Sequence, residues 1–340
     1  MHKDQPAPAA ATPRPLIEVT DLVCHFPVRG GLLRRKRKPI QAVDHLSFSV
    51  ERGEGLGVVG ESGCGKSTMA NALMRLIQPT SGSFRFDGQE VFALEGAALR
   101  RWRREVQLVF QNPYASLDPR MTVRQIVEEP LLVNGLDLPA SERRAQVMSI
   151  LERVGFDSRH ANRYPHQLSG GQRQRVGIAR GLVLKPKVLI LDEPVSALDV
   201  SVQAQVLNLL DSLRRDLGLT FIFIGHDLSV VRHVSERIAV MYLGRIVEIG
   251  KRDAVFGRAR HPYTQALLSA VPSPDHAKGG TGKRITLQGD PPSPANPPSG
   301  CRFRTRCWKA SEICARIDPQ LQAHAATEDH QVACHHPEPL

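Results

Sequence analysis

The sequence predicts an α/β fold in which buried strands of a parallel sheet alternate with amphipathic helices. Two short continuous apolar runs, 188–191 and 221–224, have the length and composition of strands that are buried on both faces. A third apolar run, 57–59, leads into a glycine-rich loop and then into a helix with apolar residues at three- and four-residue spacing. Strands and helices in this alternation are typical of open sheets, which bind ligands at the carboxyl ends of their strands.

The segment before the glycine-rich loop predicts β structure. Residues 1–15 are rich in proline and alanine and predict a disordered leader. The next apolar stretches, 16–23 and 43–50, predict strands, the second with the apolar–polar alternation of a half-buried strand. A surface loop that carries the basic run 34–38 separates these two strands.

The later segments add a helical region and a loop-rich end. Helices are predicted at 122–133 and 141–154, so a helical segment of about 112–165 interrupts the α/β pattern. A hairpin is predicted between 238 and 249. From about residue 271 onward, frequent prolines and glycines predict a loop-rich appendix, since they cannot continue a helix or a central strand.

The composition is that of a soluble globular protein. The 340 residues are 41% hydrophobic and 23% charged, and this length predicts about two domains. No apolar run approaches the roughly 18 residues of a membrane span, and the amino-terminal segment lacks a signal peptide's apolar core. We therefore expect the protein in the cytosol or, through partners, on the cytosolic face of a membrane. The net charge of +11 is compatible with nucleic acid or an anionic membrane surface, but 5% aromatic residues argue against a base-stacking surface.

The glycine-rich loop has the pattern G-x-x-x-x-G-K-[ST], which is typical of loops that bind the phosphates of a nucleotide. Its glycines let backbone N–H groups converge on an anion, and the following helix adds free N–H donors and a favourable dipole. Lys66 is predicted to contact the β- and γ-phosphates, and Ser67 to coordinate Mg²⁺. The alternative is a glycine-rich turn capped by Ser67, with Lys66 in solvent. The predicted phosphate loop is Gly60, Glu61, Ser62, Gly63, Cys64, Gly65, Lys66, Ser67 and Thr68.

Polar residues also follow three other predicted strands. Asp192, at the end of the run 188–191, is predicted to hold Mg²⁺ through water, and the adjacent Glu193 to orient and deprotonate an attacking water. Gln111, which ends a strand predicted at 106–110, has a side chain able to contact both the metal and the water, and His226 could donate to the γ-phosphate. Taken alone, Gln111 is expected to be an ordinary polar loop residue, His226 a structural histidine, and Glu193 a surface acid before a proline. The motifs described next reverse the expectation for Gln111 and His226.

A second pair of glycines opens another helix. Ser169 has the position of an N-cap, Gly170 and Gly171 free the backbone for close approach to an anion, and Gln172 follows them. The helix that begins here is basic and amphipathic. The chain therefore has two predicted anion-binding helix starts, whereas a simple phosphate-loop enzyme needs only one.

These motifs, in their order along the chain, resemble those of ATP-binding cassette (ABC) ATPases. The resemblance covers about residues 16–255 and implies a P-loop NTPase fold with a RecA-like core, an antiparallel β subdomain, a helical subdomain and a small loop-rich C-terminal extension. The implied domains are the ATPase over 16–258 and the extension over 259–340. The motifs that carry the resemblance are the phosphate loop, Gln111, 168–172, 188–193, 196–199 and His226.

The same resemblance implies how such a site is assembled. Two cassettes pack head to tail, so that Ser169, Gly170, Gly171 and Gln172 complete the site of the partner, and ATP and Mg²⁺ bind in between. The helical segment 112–165 corresponds to the subdomain that docks on membrane permeases. Phe26 is the best match to the aromatic residue that stacks on adenine, although a tyrosine is more usual there.

Four regions are similar to the second ATPase subunit of bacterial oligopeptide/dipeptide importers: the insertion 30–38, the segment 119–123, the segment 261–268 and the proline-rich cysteine tail. This similarity implies two transmembrane permease subunits, a second and different ATPase subunit, and an extracytoplasmic solute-binding protein that acts indirectly. It also implies a peripheral location on the cytoplasmic face of the inner membrane, and no nucleic acid is expected. The subfamily serves nickel and other small solutes as well as peptides.

Four of the six cysteines, Cys301, Cys307, Cys314 and Cys334, lie in the last forty residues. Grouped thiolates in a reducing cytosol indicate metal, and the similar extension can carry a [4Fe–4S] cluster. Their intervals of five, six and nineteen residues lack the short spacing usual in zinc fingers. An iron–sulfur cluster, zinc and reduced structural cysteines therefore stay open as interpretations. The nearby histidines, His330, His335 and His336, are expected to be solvated.

We therefore predict an ATP-hydrolysing subunit that powers a bacterial importer of dipeptides, oligopeptides or a related small solute such as nickel. One alternative is a soluble ABC ATPase acting in nucleic-acid or translation-related processes, although such relatives usually carry two cassettes or long coiled-coil insertions. Another is a metal-sensing module in which the cysteine tail is the functional element and the cassette is a switch.

Overall fold

The computed structural model of this protein describes residues 14–28, 38–112, 116–271, 284–323 and 329–339. The predicted leader 1–15 lies outside this part of the chain apart from its last two residues, and the basic run 34–38 lies outside it apart from Lys38. No helix within these ranges is both long and apolar enough to cross a membrane.

The described residues form two β-sheets with helices packed against them. The strands are β1 (Ile17–Phe26), β2 (Ile40–Val50), β3 (Gly55–Val59), β4 (Ser81–Phe86), β5 (Gln89–Glu90), β6 (Val106–Val109), β7 (Val188–Asp192), β8 (Thr220–Gly225), β9 (Arg237–Tyr242), β10 (Arg245–Lys251), β11 (Gln322–Ala323) and β12 (Gln331–Val332). The helices are α1 (Lys66–Leu73), α2 (Gly96–Glu105), α3 (Val123–Val133), α4 (Ala140–Arg153), α5 (Gly170–Leu182), α6 (Val200–Leu217), α7 (Leu228–Val234), α8 (Arg252–Gly257), α9 (Pro262–Ser269) and α10 (Glu312–Arg316).

The larger sheet contains the parallel core that the apolar runs predict. Its strand order is β11-β12-β10-β9-β3-β8-β7-β6, and the five strands from β9 to β6 are parallel. Every residue of β3 and β8 is buried, because hydrophobic clusters cover both faces of the sheet. The carboxyl ends of β3, β6, β7 and β8 meet at one edge, and the phosphate loop, Gln111, Asp192, Glu193 and His226 lie at or just after these ends.

The smaller sheet is antiparallel, with the strand order β2-β1-β4-β5. It packs with α1 and the far side of the larger sheet into one hydrophobic cluster, to which Phe48, Phe84 and Trp102 contribute. β1 runs continuously from Ile17 to Phe26, longer than the strand predicted at 16–23.

The two helices predicted in the helical segment form, with bounds within one residue of those expected. A capping box begins α3: the Thr122 hydroxyl accepts from the Gln125 backbone N–H, and the Gln125 side chain accepts from the Thr122 N–H. Val123, Ile126, Val127 and Leu131 form the buried stripe of α3, which packs against α4 and α5. Along the chain, helices α3 and α4 lie between β6 and α5.

The C-terminal extension is closely joined to the rest of the fold. β12 pairs with β10, so the last strands of the chain continue the larger sheet. Arg302 donates to Asp44 at 2.5 Å, and both side chains are less than a tenth exposed. The prediction for His330 was wrong: it is 4% exposed and contacts the fully buried carboxylate of Glu248 at 2.7 Å, because β12 brings it under β10.

Candidate functional site

The phosphate loop connects β3 to α1 and depends on glycine at two positions. Gly65 has φ +108°, and a Cβ atom there would lie 2.0 Å from the Ala42 carbonyl oxygen. A Cβ at Gly60 would lie 2.1 Å from the Met241 carbonyl oxygen. Both obstacles are backbone atoms, so any side chain at these positions would displace the loop.

Lys66 begins α1 and is nearly buried, with 4% of its surface exposed. Its Nζ donates to the carbonyl oxygens of Gly60, at 2.7 Å, and Glu61, at 3.0 Å. The ammonium is thus held over the loop by neutral carbonyl dipoles, which leave its charge available to an anionic ligand.

Ser67 and Asp192 bring two oxygen ligands together beside Lys66. The Ser67 hydroxyl donates to Oδ1 of Asp192 at 3.2 Å. Burial raises the pKa of Asp192, and the charge of Glu193 raises it further. A partly buried carboxylate beside a second acid and a hydroxyl is a suitable environment for a hard cation such as Mg²⁺. The cation would offset the negative charges of Asp192 and Glu193.

The raised pKa of Asp192 predicts that this residue lowers the stability of the empty protein. Its pKa is higher in the folded than in the unfolded chain, so ionisation lowers the free energy of unfolding as pH rises from about 4 through the folded value. Above the folded value this cost is fully present. We expect Asp192→Asn to raise the nucleotide-free melting temperature in that pH range and to abolish Mg²⁺-dependent ATP hydrolysis. A melting temperature below that of the wild type in calorimetry would contradict the argument.

Gln111 and His226 both converge on Glu193. The Gln111 Nε2 donates to Oε2 of Glu193 at 2.9 Å, and Nδ1 of His226 lies 3.4 Å from the same oxygen. Within the described residues, no hydrogen bond is made to Oε1, which keeps its lone pairs for a water molecule. The predicted grouping of these three residues therefore forms, although they come from three separate loops.

The backbone of Glu193 is held in a conformation that non-glycine residues seldom adopt. Its φ is +45°, in the left-handed region. Its N–H donates to the Ile224 carbonyl at 3.0 Å, and its carbonyl accepts from the Ser196 hydroxyl at 3.1 Å. Such strain persists where the surroundings determine the geometry, and it often marks a functional residue.

Lys66, Ser67, Gln111, Glu193 and His226 line one cavity of about 430 Å³, whereas Asp192, Gly60, Glu61 and Cys64 are not among its lining residues. Ile40, Ala42 and Pro294 also line it, although nothing in their local sequence marks them as site residues. Phe26 pairs with Ile40 in the β1–β2 ladder and is 38% exposed, but it is not among the residues described as lining the cavity. The lining residues are Ile40, Ala42, Ser62, Gly63, Gly65, Lys66, Ser67, Thr68, Gln111, Glu193, His226 and Pro294.

The second predicted anion-binding helix start lies at the beginning of α5, and its residues do not line this cavity within the described part of the chain. Ser169 and Gln172 form a capping box: the Ser169 hydroxyl accepts from the Gln172 N–H at 3.3 Å, and the Gln172 side chain accepts from the Ser169 N–H at 3.0 Å. A Cβ at Gly171 would lie 2.3 Å from Cγ1 of Val202, so glycine permits the close packing of α5 on α6. Ser169 is exposed and Gly170 partly exposed, so the turn is accessible to another molecule.

The four tail cysteines are free thiols in one region of the extension. Burial raises the pKa of Cys301 to about 12, and its neighbours Cys334, Cys314 and Cys307 contribute to that shift. Burial also raises the pKa of Cys334 to about 11. Among the described residues, no three histidine, cysteine or acidic side chains are placed to share a single metal ion.

Two family models match this chain. The model for ABC transporters matches residues 43–196, which include the phosphate loop, Gln111, the α5 start and Glu193. The model for the oligopeptide/dipeptide transporter C-terminal region matches residues 247–314.

The chain is also similar over nearly its whole length to curated proteins. It is 49% identical to the oligopeptide transport ATP-binding protein AppF of Bacillus subtilis, over 96% of this chain and 98% of that protein. It is 50% identical to the dipeptide transport ATP-binding protein DppF of Escherichia coli, over 92% of both chains. Its fold matches a dimeric post-hydrolysis state of the ATP-binding cassette MJ0796 bound to ADP and Pi, with a TM-score of 0.61, 31% identity, and coverage of 69% of this chain and 98% of that one.

Proposed function

The chain belongs to the ABC transporter family of ATP-binding proteins, and from that premise we propose that it is the ATP-hydrolysing subunit of a bacterial importer of dipeptides or oligopeptides. The proposed domains are the ATPase over 16–258, with its helical subdomain at about 112–165, and the extension over 259–340. The relatives named above are oligopeptide and dipeptide transport proteins, and the C-terminal family match supports the same solute class.

The observation that carries this proposal is the convergence of Gln111, Glu193 and His226 on the cavity that contains Lys66 and Ser67. In the proposed reaction, Lys66 and the N–H groups of the phosphate loop bind the phosphates of ATP. Ser67 and Asp192 would hold Mg²⁺, which supplies positive charge to the phosphate oxygens.

Glu193 is the proposed general base. Its Oε1 accepts a proton from water while the water oxygen bonds to the γ-phosphorus and the bond to the β,γ-bridging oxygen breaks, giving ADP and phosphate. Gln111 and His226 orient the carboxylate through Oε2. His226 would also donate to the γ-phosphate.

We propose that the exposed start of α5 closes the nucleotide site of a second ATPase subunit. Gly170 and Gly171 leave backbone N–H groups at a helix N-terminus, which favours an anionic ligand, while the capping box of Ser169 and Gln172 fixes the turn that carries them. The matched cassette structure is dimeric and bound to ADP and Pi, which supports this arrangement. We propose that the partner is a different ATPase subunit.

Removing the Ser169 hydroxyl tests this role. We expect Ser169→Ala to reduce ATPase activity about tenfold, because each hydroxyl would serve the site of the opposite subunit. The matched control is Thr122→Ala, which removes the hydroxyl of the equivalent capping box on α3. Both variants should lose about 1 kcal/mol of folding free energy, because each loses one capping hydroxyl. Only Ser169→Ala should also lose ATPase activity, and equal activities in the two variants would contradict the proposal.

An apolar groove beside Gln111 is the proposed docking site for a permease. It has a volume of about 350 Å³ and lies between β6, α3 and α5, where Leu108, Val109 and Pro130 contribute to its lining. Phe110 and Val133 at the groove are 47% and 78% exposed, unusually high for large apolar residues.

We propose two transmembrane permease subunits, a peripheral location on the cytoplasmic face of the inner membrane, and an indirect connection to an extracytoplasmic solute-binding protein. Co-purification with mass identification of the co-eluting proteins tests the permease partners.

We propose that the cysteine tail holds a [4Fe–4S] cluster. The four tail thiols are free and are buried or partly buried in a loop-rich region, and neighbouring thiols contribute to the raised pKa values of Cys301 and Cys334, so they are a suitable donor set. In such a cluster each thiolate binds a different iron, so the sulfurs need not be close enough to share one ion. Zinc and reduced cysteines are the other outcomes of the test.

Anaerobically purified protein is expected to contain about four iron and four sulfide per chain and to absorb near roughly 400 nm. Cys307→Ser should lose most of this iron, whereas Cys24→Ser, at a buried cysteine outside the tail, should retain it. Zinc in place of iron, or no metal, would contradict the cluster.

A further inference from the structure

Two residues of the C-terminal extension hold the phosphate loop through Glu61. Tyr263, on α9, accepts a hydrogen bond from the Glu61 N–H at 2.8 Å. Arg306 donates to both carboxylate oxygens of Glu61, at 2.8 and 3.1 Å. Tyr263 is fully buried, and the side chain of Arg306 is 7% exposed. A bidentate arginine–carboxylate pair in such a place is both strong and directional.

Glu61 in turn contacts the residue that is to bind phosphate. Its carbonyl oxygen accepts from Nζ of Lys66 at 3.0 Å and from the Cys64 N–H at 3.3 Å. The N–H and the carboxylate of Glu61 are therefore held by the extension, while its carbonyl holds Lys66. A change in the position of Arg306 or Tyr263 would move Glu61 and, with it, the ammonium of Lys66.

The part of the extension that carries Arg306 is itself firmly packed. Phe303 is 1% exposed, and its ring lies 5.2 Å from that of Tyr242 and 5.4 Å from that of Tyr263. The backbone N–H of Arg306 donates to the Phe303 carbonyl at 3.0 Å. Cys301 and Cys307 stand at the two ends of this turn, so it connects the cysteine tail to the phosphate loop.

We propose that Arg306 and Tyr263 are positioning residues for nucleotide binding, through which the C-terminal extension sets the affinity of the phosphate loop for ATP. This inference rests on the proposed function, because it assigns these residues to the same nucleotide site. A merely structural contact would stabilise the fold without changing ATP affinity in the folded protein. The two roles therefore differ in measurable ways.

Arg306→Ala and Tyr263→Phe test the inference in the full-length protein. Each is expected to weaken ATP binding about tenfold by titration calorimetry, which corresponds to about 1.4 kcal/mol, and to raise KM similarly while kcat changes less than about twofold. Arg304→Ala is the matched control, because Arg304 lies on the same turn but donates to the Ser299 carbonyl and hydroxyl. It should bind ATP as the wild type does.

Combining Arg306→Ala with Glu61→Gln tests whether Arg306 affects ATP binding through Glu61 or through other contacts. If Arg306 acts through Glu61, the double variant binds ATP no more weakly than whichever single variant has the lower ATP affinity. The losses of binding free energy in the two single variants then do not add. Additive losses would overturn the proposed route. Tyr263→Phe removes one oxygen atom and keeps the ring, so it carries the test should Arg306→Ala fail to fold.

Hydrogen exchange provides a readout that does not depend on activity. Because coupling between two sites is reciprocal, ATP is expected to slow amide exchange in residues 301–307 of the wild type, and this slowing should be lost in Arg306→Ala.

Wild-type ATP affinity in Arg306→Ala and Tyr263→Phe would overturn the inference and leave the proposed function intact. Failure of the wild type to bind ATP would instead contradict the proposed function.

Discussion

Replacing Glu193 by glutamine is expected to reduce ATP hydrolysis at least about a hundredfold while ATP binding stays near that of the wild type. Glutamine keeps the shape of the side chain but cannot accept a proton at neutral pH, and the Lys66 and Ser67 contacts are unchanged. With hydrolysis blocked, ATP should remain between two cassettes and hold the dimer closed. Phosphate release measures hydrolysis, and size-exclusion chromatography with ATP and the co-purified partner ATPase subunit measures the closed dimer.

The control for this variant is Glu152→Gln, which makes the same chemical change on an exposed face of α4. It should hydrolyse ATP at the wild-type rate. Near-normal hydrolysis in Glu193→Gln would show that another group accepts the proton.

Replacing Lys66 by alanine is expected to weaken ATP binding at least about a hundredfold, a loss of about 2.7 kcal/mol or more. In the wild type, the Lys66 ammonium donates to the carbonyl oxygens of Gly60 and Glu61, which hold it over the phosphate loop. The alanine variant has no such positive charge at the phosphates. The same change removes a nearly buried charge, so we expect the melting temperature of the empty protein not to fall. Calorimetric titration with ATP measures affinity, and thermal unfolding measures stability.

Lys187→Ala is the matched control for the loss of a lysine. Lys187 precedes β7, at the opposite end of that strand from Asp192, and pairs with Asp87 and Glu105. This variant should bind ATP normally. Tight ATP binding by Lys66→Ala would mean that the loop N–H groups alone supply the affinity.

Short-range chemistry explains why so much of the nucleotide site could be predicted from the sequence. Lys66 and Ser67 follow a glycine-rich loop, and Asp192 and Glu193 follow a buried strand, so each pair is positioned by residues next to it in the chain. The carboxyl ends of parallel strands meet at one edge of a sheet, and Gln111, Glu193 and His226 each follow a predicted strand. That the three residues serve one site was implied by the resemblance to ABC ATPases. The Gln111–Glu193 hydrogen bond and the 3.4 Å approach of His226 to Glu193 confirm that the three residues lie together, while their chemical roles stay predictions.

The sequence by itself determined the α/β core, the phosphate loop, the order of the motifs and the resemblance to ABC ATPases, because local periodicity and local backbone chemistry encode them. Only the tertiary structure decided that Pro294 lines the cavity, that His330 is buried against Glu248, and that Arg306 holds Glu61 across 245 positions of sequence. Such contacts depend on which surfaces the folded chain brings together. No periodicity or spacing near Arg306 records its distant partner, so that contact could be found only in the folded molecule.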